Sequence, residues 1–143
     1  MARKIGVFLL SAVFIFAFAA GAEAVRQRFG NIAADVPAGW TIEGSENRVT
    51  FVAPDESAMV SIMVNVAEGF TLQEIAETVA QEYGGSALQE VGGAYVFGFQ
   101  NEYEVDYSVI ISGDEETGFY MVWVIAGEHP QLGALIESIE WVE

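Results

Sequence analysis

The chain has 143 residues and a formal net charge of −16, from 5 Lys and Arg against 21 Asp and Glu, with no Cys and a single His. That balance excludes nucleic acid as a partner, because phosphate recognition needs clustered Lys and Arg. The missing thiols exclude disulfides, Cys nucleophiles and Cys-ligated metals.

Arg3 and Lys4 precede an apolar run from Ile5 to Ala20, and "GAEA" then sets Ala22 and Ala24 at the small-residue positions before a cut. Residues 1–24 are therefore expected to be a cleaved secretory signal, with the cut after Ala24. The run of 16 apolar residues falls short of the ~18–20 that a spanning helix needs. No Cys follows the cut to carry a lipid, so no stable membrane anchor is expected after cleavage. The product is expected in the periplasm or outside the cell. Val25 to Glu143 is long enough for a single domain with one core. It keeps three basic residues (Arg26, Arg28 and Arg48) against 20 acidic ones, a net charge of −17, and no Lys. Anionic lipid would be repelled by such a surface, whereas a basic protein or a cation would not. A surface that only keeps an exported protein soluble fits the same charge.

The predicted elements start at once. "FGNIAADV", Phe29 to Val36, reads as a first strand stopped by Pro37, and "WTIEG" as a second. "SENR" turns into a third strand, "VTFVAP". "AMVSIMVNVAE" alternates, with Val60, Ile62, Val64 and Val66 on one face and Ser61, Met63 and Asn65 on the other, as a half-buried strand does. A helix follows. Thr71 and Glu74 form a capping box, Phe70 and Ile75 a hydrophobic staple, and Leu72, Ile75, Ala76, Val79 and Tyr83 an apolar stripe. Gly84-Gly85 ends it.

The second half reads as a meander. "ALQEV" reaches the two-residue hairpin signal Gly92-Gly93. "AYVFGFQ" sets Tyr95, Phe97 and Phe99 on one face. "YEVDYSVIIS" sets Tyr103, Val105, Tyr107, Val109 and Ile111 on one face and Glu104, Asp106 and Ser108 on the other. These aromatics read as core before they read as a pocket lining. "GDEETG" turns into "FYMVWVIA", which is apolar on both faces and so predicts a central strand covered on both sides. Pro130 suits a first helical position, and Leu132, Leu135, Ile136 and Ile139 complete an amphipathic closing helix. The expectation is an α+β fold: an antiparallel sheet of about six to seven strands with two main helices.

This order resembles the PsbP-like fold, which includes small exported bacterial proteins such as DcrB. "ADVPAGWTIEG" looks like the family's early strand, Pro-x-Gly-Trp corner and second strand. "VTFVAPDESAMVSIMV" looks like its hairpin, and "GFTLQEIAETVAQEYGG" and "LGALIESIEWV" like its two helices. The resemblance covers nearly all of Phe29 to Val142. It implies a sheet sandwiched with helices and mostly non-enzymatic roles as accessory subunits, adaptors or envelope proteins. It implies no catalytic residues. Pro37, Gly39 and Trp40 are expected to be structural: Pro37 ends a strand, Gly39 permits a turn, and Trp40 buries a large ring.

Sites of chemistry are sparse. His129 stands alone before Pro130, without a partnered nucleophile, and no Gly-rich phosphate loop feeds a helix. In "GDEETG", Asp114, Glu115 and Glu116 offer oxygen ligands for a hard cation such as Ca²⁺, though without EF-hand spacing. Glu102, Glu104 and Asp106 recur at strand spacing and read as the charged face of an exposed strand. The function expected is a non-catalytic exported binding or accessory domain that contacts a protein partner through its acidic surface, with no cofactor. Divalent-cation binding through the "GDEETG" loop or the Glu102, Glu104 and Asp106 face is the alternative, and a small hydrolase a remote one.

Overall fold

The computed structural model describes residues 24–85, 87–114 and 116–142. The expected signal segment therefore lies outside the described residues, save for Ala24. Among the described residues the class is α+β, with two helices and a large antiparallel sheet, as the sequence predicts. In chain order the elements are β1 Val25–Phe29, β2 Ile32–Val36, β3 Thr41–Gly44, β4 Arg48–Val52, β5 Ala58–Val66, α1 Leu72–Tyr83, β6 Gln89–Val91, β7 Ala94–Gln100, β8 Asp106–Asp114, β9 Phe119–Gly127, α2 Leu132–Ser138 and β10 Glu140–Trp141. The seven-stranded sheet runs β3-β4-β5-β9-β8-β7-β6, and a smaller one runs β1-β2-β10. β9 is flanked by β5 and β8, the central position predicted, but only its Val122 and Ala126 face is buried, while Met121, Trp123 and Ile125 on the other stay half-buried. The chain divides into two compact units. One comprises the described residues up to Val60 and from Glu128 onward, the other Ser61–Gly127.

In the first unit, the single strand expected over Phe29 to Val36 is a hairpin. β1 and β2 pair antiparallel with Phe29 opposite Ile32, so Gly30 and Asn31 form a two-residue turn, a dipeptide type that hairpins favour. The chain's end also differs from expectation. Pro130 precedes the helix, and α2 starts at Leu132 and stops at Ser138. Ile139 is extended, and Glu140 and Trp141 pair with Ala33 and Ile32 as β10. α2 packs on β2, and Leu132, Leu135 and Ile139 are buried. At the corner, the Trp40 amide donates to the Pro37 carbonyl at 3.4 Å. Gly39 at φ +89° supplies the left-handed third position that such a turn requires. Trp40 is fully buried, and its indole nitrogen donates to Gln131 Oε1 at 3.1 Å.

In the second unit, α1 forms where its caps predict. The Glu74 amide donates to Thr71 Oγ1 at 3.1 Å, and the Thr71 amide to Glu74 Oε1 at 2.9 Å. Gly84 closes the helix at φ +65°. Ile75 and Ala76 of α1 join Phe97, Val109, Ile111 and Val122 in one buried cluster. Each strand contributes one face at period two. Met63, expected on the polar face of β5, packs against this cluster, so the apolar stripe of α1 has partners there too. Conversely, Val66 is 55% exposed at the end of the face expected to be buried. A two-residue turn sets Val91 opposite Ala94 between β6 and β7, as the Gly92-Gly93 signal predicts. Stacking of Tyr83, Phe99 and Tyr107, with ring centroids 4.8 Å apart at each step, extends the core.

The stretch between β7 and β8 departs most from expectation. β8 starts at Asp106, not at Tyr103, and Glu102 and Glu104 lie in a turn. Asn101 builds that turn: its Oδ1 accepts from the amides of Tyr103 at 2.9 Å and Val105 at 3.0 Å. Glu104 takes a left-handed φ of +63°. A side chain that caps two amides outcompetes strand pairing, so Glu102, Glu104 and Asp106 do not share a strand face. Tyr103 is left 78% exposed.

Candidate functional site

The second unit carries a groove beside α1. One cavity of about 510 Å³ opens at the start of the helix, bordered by Phe70, Leu72, Ile75, Phe119 and Tyr120. A second, of about 470 Å³, runs along the helix past Met63, Val66, Val79 and Val122. Ala67, Glu68, Phe70, Ile75 and Tyr120 border both.

Local structure holds the shared wall in place. Ala67 is fixed by its amide, which donates to the Gly118 carbonyl at 2.8 Å, and the Phe70 amide returns to the Ala67 carbonyl at 3.1 Å. Between them Glu68 and Gly69 both have positive φ, +54° and +90°. Such a backbone is strained for Glu68, and it delivers Phe70 to the rim. There Phe70 is 62% exposed, so the expected staple with Ile75 leaves most of the ring in solvent. Gly113 shapes the first cavity's floor: a β-carbon there would meet Leu72 Cδ1 at 3.2 Å and the Phe119 carbonyl at 3.1 Å.

The electrostatics of the groove are one-sided. Glu68 borders both cavities, and Glu74 and Glu82 border the second. Ser61–Gly127 contains eleven acidic residues and no Lys, Arg or His. The capping box occupies the Thr71 and Glu74 amides, so the helix start offers fewer donors to an anion than a bare N-terminus does.

The residues singled out in the sequence fall elsewhere. Glu116 is exposed beside β9, while Glu115 and the side chain of Asp114 lie outside the described residues. Among the described residues no three His, Asp or Glu come together as metal ligands would. Pro37 and Trp40 are buried and Gly39 is exposed, all in the first unit. His129 stands edge-on to Trp40 with centroids 5.3 Å apart, and its Nδ1 accepts from the Gln131 amide at 3.1 Å. That bond ties the imidazole to the turn before α2. Nearby, Asp55 accepts from the hydroxyl of Ser57 at 2.6 Å and from its amide at 3.1 Å. The hydroxyl first, and then the amide, hold its carboxyl below the usual range. Arg26 bridges Asp35, at 3.0 Å, and Glu140. Its hydrogen bond to Asp35 leads the causes that raise its pKa.

The groove itself was not predicted. Its one signal in the sequence is an aromatic, Phe70, between Gly69 and the helix cap, a position read as packing.

No protein-family model matches the chain, and no curated protein matches it. Solved structures do. The Ran-binding protein Mog1p of Saccharomyces cerevisiae superposes with a TM-score of 0.51 at 9% identity, over 84% of this chain and 97% of its own. A point mutant of the protein Mog1 gives 0.51 at 10%, over 82% and 96%. The cyanobacterial PsbP (CyanoP) of Synechocystis sp. PCC 6803, solved in solution, gives 0.51 at 11%, over 84% and 93%. At such identities the likeness concerns architecture alone: the chain has a PsbP/Mog1-type fold.

Proposed function

We propose that this chain is an exported, non-catalytic binding domain that contacts a basic protein partner in the cell envelope through its acidic surface. The observation that carries the reading is the second unit, which contains eleven acidic residues and no Lys, Arg or His and whose open groove is bordered by Glu68, Glu74 and Glu82. Such a surface attracts basic partners over distances of about 10 Å at 0.1 M salt and repels phosphate and anionic lipid. Two further points support the reading. The basic start, apolar run and A-x-A site of residues 1–24 fit export, and the same architecture serves a Ran-binding protein in yeast Mog1p. The test is affinity capture from the exported protein fraction at low and high salt, followed by reconstitution with the purified partner. A basic protein that binds stoichiometrically and is released by salt is expected. A partner that is acidic, or binding that ignores salt, contradicts the reading.

A further inference from the structure

We infer that the groove beside α1 holds that partner, and that its occupant is a basic polypeptide segment placing one apolar side chain on each side of Phe70. This rests on the reading above and adds to it the site and the chemistry of what fills it. Three observations converge. First, the two cavities, about 510 and 470 Å³, are each of the size that takes an organic group, and they share Phe70 as a wall. Second, Phe70 is 62% and Val66 55% exposed. Apolar surface lining a concavity gains most from being covered by apolar matter. Third, Glu68 stands on both cavities and Glu74 and Glu82 on the second, in a unit without a cation. A fatty acid, a phospholipid or a nucleotide would bring negative charge against these carboxylates. A Lys- or Arg-bearing segment brings the complementary charge, and a polypeptide can offer two apolar groups with cations between and around them.

The probes are short Lys- and Arg-rich peptides carrying two Leu at varied spacing, with counterparts in which both Leu are Ala. The protein is expressed from its full-length sequence, purified and titrated by fluorescence anisotropy, and amide shifts are mapped by NMR. At the preferred spacing, replacing the two Leu is expected to weaken binding about tenfold or more. Phe70→Ser does the same with an unchanged melting temperature, and Glu68→Gln lowers the salt dependence. Shifts concentrate at Ala67 to Ile75 and Gly118 to Tyr120. Because Phe70 is exposed, Phe70→Ser should fold; the peptide comparison on the unaltered protein decides the matter independently. Leu and Ala peptides binding alike, with shifts scattered over the acidic surface, overturn the groove while leaving a basic partner in place. Failure of every basic peptide to bind at low salt overturns both. Equal occupation of the groove by phosphatidylglycerol vesicles overturns the choice of a polypeptide.

Discussion

The two units treat charge and aromatic surface in opposite ways. In the first, cations are used internally: Arg26 bridges Asp35 and Glu140, and Arg28 donates to the Gly30 carbonyl at 2.7 Å. Its corner Trp40 is sealed, with its one polar atom satisfied by Gln131. The second contains eleven acidic residues and no Lys, Arg or His, and Phe70 is held at the surface by a strained turn. A unit whose arginines and buried indole are engaged within it contrasts with one whose charge and exposed apolar area call for a partner.

That contrast can be broken or sharpened by substitution, and the largest effect is expected in the first unit. Trp40→Ala removes a fully buried ring and should cost ~3–5 kcal/mol in denaturant unfolding. A mutant of unchanged stability that lost peptide binding would reverse the roles of the two units. Next is Gly85→Ala, whose β-carbon would run into the Phe97 ring. Overpacking of that kind costs ~1–3 kcal/mol, and the melting curve reads it. Thr71→Ala opens the capping box beside the groove and should cost about 1 kcal/mol, visible as faster amide exchange in the first turn of α1. Phe70→Ser should change stability by no more than ~0.5 kcal/mol, as an exposed position does, while binding falls. The smallest effect is electrostatic. Asp55 has a lowered pKa in the folded chain, so it favours folding above the usual carboxylate range. That contribution is lost as pH falls through its lowered folded value. Asp55→Asn should therefore flatten the acid limb of the stability profile slightly, with no change near neutrality in its slope.

Much of the fold was legible, because local and periodic signals agreed. The capping box at Thr71 and the Gly92-Gly93 hairpin each predict the structure found, and the doubly apolar β9 predicts its central position. The failures share a cause. Phe29 to Val36 alternates well enough to read as one strand, and that period masks the Gly30-Asn31 turn inside it. Tyr103 and Val105 continue the alternation of Tyr107, Val109 and Ile111, so periodicity alone places the strand's start at Tyr103. Nothing in that period reveals that Asn101 captures two amides and throws Tyr103 into solvent. The groove was illegible for a stronger reason. It exists only where α1 meets β5, β8 and β9, and its floor depends on the missing side chain of Gly113.

The central claim is that the exposed apolar rim of the second unit serves binding and not stability. It is tested most directly by measuring melting temperature and affinity together for the wild-type protein and Phe70→Ser, with the Leu-bearing Lys-rich peptide as probe. Coincident melting curves with affinity lowered about tenfold or more are predicted. Equal affinity in the two proteins, or a lost affinity that only tracks a lost fold, would contradict it.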